Sequence, residues 1–197
     1  MHELGRPEPG CLLIAHEAMP GLFWQTVIFM LEHSAEGSLG LVLNRPTNLT
    51  VNDLLAGGPS AAMMEVFSEE PVYMGGPVGS DQLLVLHPYA HLKGATRVME
   101  GAYFGGLEGA QDLVQRGEAD PREFKFFVGY SGWAAGQLKG EIDDRSSWYV
   151  AAASADVVLP HCIQLPVPLW RQVLGSMGGE YSRIAREHDE WAGPSSA

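Results

Sequence analysis

Thr26–Asn44 reads TVIFMLEHSAEGSLGLVLN. Its first six residues, Thr26–Leu31, are apolar on both parities and rich in β-branched side chains, as in a strand covered on both faces. Six residues ending in Gly37 follow, and Ser38–Asn44 then sets Leu39, Leu41 and Leu43 on one face. Two strands with no helix between them make a hairpin with a longer loop. Pro46 stops the second strand, because proline cannot donate to a ladder.

Working outward, the same grammar recurs. Cys11–His16 lies between Pro9-Gly10 and Pro20-Gly21 and reads as a first strand. Val72–Met74 and Gln82–His87 read as two more, around Gly75-Gly76-Pro77-Val78-Gly79. In Glu123–Tyr130 (EFKFFVGY), Phe124, Phe126, Val128 and Tyr130 share one face. Trp148–Ala152 is a further strand. Helical periodicity marks Val51–Ala56, Ala61–Phe67, Leu107–Arg116 and Gln137–Ile142. At the carboxy end, Trp170, Val173, Leu174 and Met177 form one stripe and Tyr181, Ile184, Ala185 and His188 another, separated by Gly178-Gly179. Strands come in runs, with helices inserted late, which predicts an α+β fold. No repeat or linker divides the chain. Residues 1–9 are expected to be a flexible start, 10–191 a single domain and 192–197 a tail.

The 197 residues are 46% apolar and 18% charged, which excludes a disordered chain, a coiled coil and a collagen-like polymer. With 24 acidic against 12 basic residues the formal charge is −12, so direct nucleic-acid or anionic-membrane binding is disfavoured. Arg171, Arg183 and Arg186 alternate with acids and make no nucleic-acid footprint. Met1–Gly10 lacks the apolar core of a secretory signal, and no apolar run reaches membrane-spanning length. Two isolated cysteines, Cys11 and Cys162, read as small buried hydrophobes in a reducing compartment. The expected location is the cytoplasm.

No catalytic constellation is complete. Gly129-Tyr-Ser131-Gly-Trp133 has one of the two glycines of a nucleophile elbow, and Trp133 stands where the second belongs. A strand-end turn packing two rings accounts for it, and no catalytic residue is assigned. His87-Pro-Tyr-Ala-His91 has helical ligand spacing, but Pro88 disfavours the helix and no third ligand lies near. Glu141, Asp143 and Asp144 beside Arg145 read as a solvated loop. Gly75-Gly76-Pro77 lacks the Lys-Ser/Thr of a phosphate cradle. No metal and no cofactor is expected.

The order of segments resembles the YqgE/AlgH family. The resemblance runs over about residues 10–153. Its carriers are Gly10–Ala15, the Glu32–Gly37 segment, Leu39–Pro46, Tyr73–Val78, Gln82–His87 and, above all, Phe126–Leu138 (FFVGYSGWAAGQL) with Glu141. Trp170–Arg183 is similar to members from photosynthetic lineages, which leaves the plastid stroma as an alternative location for a mature chain. The resemblance implies a bifurcated, mostly antiparallel sheet containing a small closed five-stranded barrel, surrounded by helices. It implies no assigned reaction, and a regulatory label for some relatives. It also implies that Ala commonly stands at the position of Ser131. The candidate binding surface is Asn44, Arg45, Gly75, Gly76, Pro77, Tyr130, Ser131, Trp133, Gln137 and Glu141. Within it, Arg45, Tyr130 and Trp133 are the residue types that dominate binding hot spots. The expected function is a non-catalytic binding or regulatory role through a protein or small ligand. The alternative is a small-molecule binder or hydrolase-like enzyme with a cleft near Ser131 and Trp133.

Overall fold

The computed structural model describes residues 1–55, 65–144, 147–165 and 167–188. Its strands are β1 (Cys11–Ala15), β2 (Val27–Ser34), β3 (Gly37–Val42), β4 (Pro46–Thr50), β5 (Pro71–Met74), β6 (Val78–His87), β7 (Ala95–Met99), β8 (Ala102–Gly105), β9 (Lys125–Ala134) and β10 (Trp148–Ala152). Its α-helices are α1 (Val51–Leu55), α2 (Leu107–Gln115), α3 (Gln137–Asp143), α4 (Ala155–Val158), α5 (Leu169–Met177) and α6 (Gly179–Glu187).

The main path of the sheet runs β10-β1-β2-β3-β9-β6-β8-β7. Every pairing along it is antiparallel. β9 is the branch point. One edge carries β6, and the other is divided between β3, opposite Ser131–Ala134, and a parallel β5, opposite Phe126–Val128. The class is α+β, as the runs of strands imply. The closed five-stranded barrel is not what forms. Among the described residues no hydrogen-bonded pairing joins β10 to β9, so the five strands β10-β1-β2-β3-β9 make a curled, open half-barrel.

Both parities of β2 are buried, for a visible reason. Val27, Phe29 and Leu31 join Leu12, Ile14 and Leu41 under Leu169, Trp170, Val173 and Leu174 of α5 and Ile184 and Ala185 of α6. Ile28 and Met30 join Leu13, Val42, Trp133, Trp148 and Leu138 of α3 on the opposite face. A third cluster, around Phe67, Phe124 and Phe126, packs under α2 on the branch.

Several expectations needed correction. The β2–β3 connection is not a longer loop. The ladder continues to Ser34↔Gly37, across a bulge between Met30 and Glu32, and the His33 ring meets the Ser38 hydroxyl at 2.7 Å. The second strand, β3, does end before Pro46, but Pro46 itself opens a further strand that was not foreseen. At a strand's first position proline withholds no bond the ladder needs, and β4 pairs with β5. The Gly129–Trp133 motif is not a strand-end turn but lies inside β9. The β7–β8 hairpin was not foreseen, because Ala95–Gly105 is short, half-exposed and rich in glycine. Ala56 and Ala61–Met64 lie outside the described residues, and Glu65–Phe67 is a single 3-10 turn. Apart from these, at the amino end Leu4 N–H donates to the Val150 carbonyl at 2.8 Å and the His2 carbonyl accepts from Ala152 N–H at 3.0 Å. Among the described residues no helix is long and apolar enough to cross a membrane.

Candidate functional site

The curl brings the two ends of the five-stranded run face to face. Trp133 of β9 and Trp148 of β10 lie 6.1 Å apart, centroid to centroid, at 81°. Phe23 meets Trp148 at 5.7 Å and 76°. The seam between the strand ends is therefore lined by three rings at near right angles.

α3 supplies the polar element. Gly136, left-handed at φ 74°, turns the chain from β9 into the helix. Gln137 then binds both ways: its carbonyl oxygen accepts from Ala134 N–H at 3.0 Å and its amide donates to Glu141 Oε1 at 2.9 Å. Glu141, one helical turn on, accepts at Oε2 from the indole N–H of Trp133 at 2.9 Å and of Trp148 at 2.8 Å. Three N–H donors thus converge on one carboxylate, which offers about four acceptor positions. None of the ion pairs among the described residues involves Glu141. Around this group lies a hollow of about 320 Å³, whose wall includes Met19, Phe23, Pro77, Trp133, Gln137 and Trp148.

Of the ten residues read from the sequence, five line this hollow: Pro77, Ser131, Trp133, Gln137 and Glu141. Two more act at one remove. The Asn44 side chain accepts from Val27 N–H at 2.9 Å and donates to the Gln25 carbonyl at 2.8 Å. Arg45 donates to the Trp24 and Asn44 carbonyls. Together they hold the segment Trp24–Val27, in which Gln25 is left-handed (φ 49°), and so fix Phe23 at the seam. Burial lowers the pKa of the Arg45 guanidinium from its ordinary value.

Gly75 and Gly76 press on β9 and do not face the hollow. A Cβ on Gly76 would stand 2.2 Å from the Tyr130 carbonyl carbon, and one on Gly75 2.3 Å from the Gly129 oxygen. Tyr130 packs towards the α5–α6 side. Ser131 is 1% exposed, and its Oγ donates to the Gly75 carbonyl at 3.3 Å. We expect Ser131→Ala to cost about 1 kcal/mol, the net worth of one neutral hydrogen bond, in a urea melt. Trp148, Phe23 and Met19 were not anticipated at the site. Only the curl of the sheet brings them to β9, and nothing local in the sequence announces it.

A second polar group was also missed. Lys125 is 1% exposed, and its Nζ donates to the Pro160 carbonyl at 3.0 Å and the Val158 carbonyl at 3.4 Å. It lies 4.8 Å above the Tyr73 ring. The Tyr73 hydroxyl meets His161 Nδ1 at 3.1 Å. The signal was legible: on EFKFFVGY, the faced alternation of Phe124 and Phe126 puts Lys125 on the same inward parity as Phe127. Burial pushes the Lys125 ammonium down to about 8, partly offset by the Cys162 side chain. Burial also lowers the pKa of His161, with Lys125 beside it adding to the effect, and raises that of the Cys162 thiol.

A pH dependence follows. Between pH 8 and 10.5 the unfolded chain keeps the Lys125 proton and the folded chain does not. Stability therefore rises with pH across that window, and the gain is lost as pH falls through about 8. Buried Tyr73 and Cys11, both pushed up by burial, work in the opposite direction over the same range. The difference between wild type and Lys125→Met in unfolding free energy from urea melts, followed against pH, isolates the lysine. It should grow by about 2–3 kcal/mol in favour of wild type from pH 8 to 10.5. A flat difference would show that Lys125 does not titrate there.

Comparison with known proteins gives one consistent picture. A family model described as AlgH-like matches residues 12–182. A UPF0301 protein of Chlorobium phaeobacteroides is 37% identical over 188 residues, covering 94% of this chain and 95% of its own. One from Cytophaga hutchinsonii is 33% identical, covering 83% and 85%. Among solved structures, the AlgH protein from Pseudomonas aeruginosa is 27% identical with a TM-score of 0.67, over 96% of this chain and 99% of that one. A Corynebacterium diphtheriae protein superposes with a TM-score of 0.71 at 24% identity over 94% of each, a likeness of fold.

Proposed function

This chain belongs to the AlgH-like family, and we propose that it works by binding a small ligand at the seam of the curled sheet, without catalysis. A regulatory role in the cytoplasm is the setting we propose for such a binder. One observation carries this reading. The carboxylate of Glu141, held by three N–H donors, stands at a hollow walled by Phe23, Trp133 and Trp148. A few placed polar groups in an apolar concavity are the usual form of a small-molecule site, and about 320 Å³ is at the small end of that range. The buried Ser131, whose hydroxyl is taken up by a carbonyl, supports binding over hydrolysis.

The test is a thermal-shift screen of metabolites, repeated on Phe23→Leu, which removes one ring at a half-buried position. The reading expects hits whose shift is lost or halved in the variant. Hits that shift both proteins equally, or no hits across the library, would contradict it.

A further inference from the structure

The hollow has a charge character as well as a shape, and the inference here rests on the binding reading above. Glu141 is surrounded by neutral donors only, two indole N–H groups and an amide, and among the described residues no cation pairs with it. Nor, among the described residues, does a cation lie over Trp133 or Trp148: the cation–π contacts of these residues are those of Lys125 with Tyr73 and Phe127, elsewhere in the fold. Among the described residues, the aromatic corner with a carboxylate at its vertex therefore has no positive group paired with it. Three donors occupy the carboxylate and leave about one acceptor position open. Tryptophan attracts cations over its face more strongly than the other rings, and the attraction grows when the cation is desolvated. The thioether of Met19 and the ring of Pro77 complete a wall that would accept methyl groups. The whole chain, at −12, raises the local concentration of cations further.

We propose that the ligand of this site is a small organic cation: an alkylated ammonium whose methyl or methylene groups pack on the Phe23, Trp133 and Trp148 rings while its charge faces Glu141. A bare metal ion does not fit. Among the described residues no three His, Cys, Asp or Glu side chains cluster to hold one.

The experiment is a titration of the full chain with choline and with 3,3-dimethylbutan-1-ol, its uncharged carbon counterpart of nearly equal shape. Binding is followed by intrinsic tryptophan fluorescence and calorimetry. Saturable choline binding, at least about tenfold tighter than the alcohol, is expected. Glu141→Gln should remove most of that tenfold preference. Phe23→Leu should weaken choline severalfold while the fold, checked by circular dichroism, persists. If choline and the alcohol bind equally, or if Glu141→Gln keeps the preference, the cation inference is overturned while the hollow stands as an apolar site. If neither probe binds, the inference is likewise overturned, and the metabolite screen alone decides whether the seam binds anything.

Discussion

Replacing Gly76 with alanine should cost at least about 4 kcal/mol and leave little folded protein, an effect at the far end of what single substitutions do. The cause is steric. A Cβ there would sit 2.2 Å from both the carbonyl carbon and oxygen of Tyr130 and 2.4 Å from the Ser131 nitrogen, all of it backbone in the middle of β9. The backbone angle, φ 155°, is itself one that side chains rarely adopt. The approach is mutual: a Cβ on Gly129, at φ 68°, would lie 2.4 Å from the Gly76 carbonyl oxygen. β9 cannot move aside, because it pairs with β6 on one edge and with β3 and β5 on the other. Gly136→Ala is the control. It also has a φ that side chains rarely adopt, a left-handed 74°, but no atom within 4 Å, so it should cost only about 1–2 kcal/mol of backbone strain. Urea midpoints at constant m-value check both, and equal losses would mean that packing against β9 is not what fixes Gly76.

Glu141→Leu should be the second largest loss, about 3 kcal/mol. It leaves the indole N–H groups of Trp133 and Trp148, residues only 7% and 5% exposed, without an acceptor. A buried donor left unpaired costs about 1–3 kcal/mol, and the two share one environment, so their losses do not simply add. Glu141→Gln keeps one acceptor oxygen and should lose about 1 kcal/mol. The ordering matters more than the size. Leucine worse than glutamine means that the carboxylate joins the ends of the half-barrel through the indoles. The reverse ordering would make Glu141 a surface residue that happens to lie near two rings.

Much of this architecture could be read in the residues because short-range patterning dictates it. The doubled apolar parity of TVIFML demanded cover on both faces, and α5 with α6 on one side and α3 on the other provide it. The stripes ending at Gly178 became two helices broken at that glycine. What escaped the reading was set by distance in the chain. That a new strand begins at Pro46, after β3 has ended, depends on β5 being there to pair with it. The family resemblance implied a closed barrel, and the missing closure depends on β10 and β9 stopping short of one another. At the site, Pro77, Ser131, Trp133, Gln137 and Glu141 were all named in advance, four of them within a single strand-turn-helix passage. Asn44 and Arg45 were also named, yet they serve the segment behind Phe23 rather than facing the hollow. Trp148 was seen only as the start of a strand, since its partner lies fifteen residues earlier and at the other end of a curled five-strand path.

The seam is tested most directly by the indole N–H resonances of the uniformly labelled protein during a titration with choline. Trp170 is the internal reference: it is 1% exposed, belongs to α5 on the opposite face of the sheet and donates to the Ala15 carbonyl at 2.8 Å. The Trp133 and Trp148 indole signals, assigned by substitution, should move together along one saturable curve while the Trp170 signal stays in place, and Glu141→Gln should displace that curve to about tenfold higher choline. Static Trp133 and Trp148 signals, or a shift shared equally by Trp170, would contradict binding at the seam.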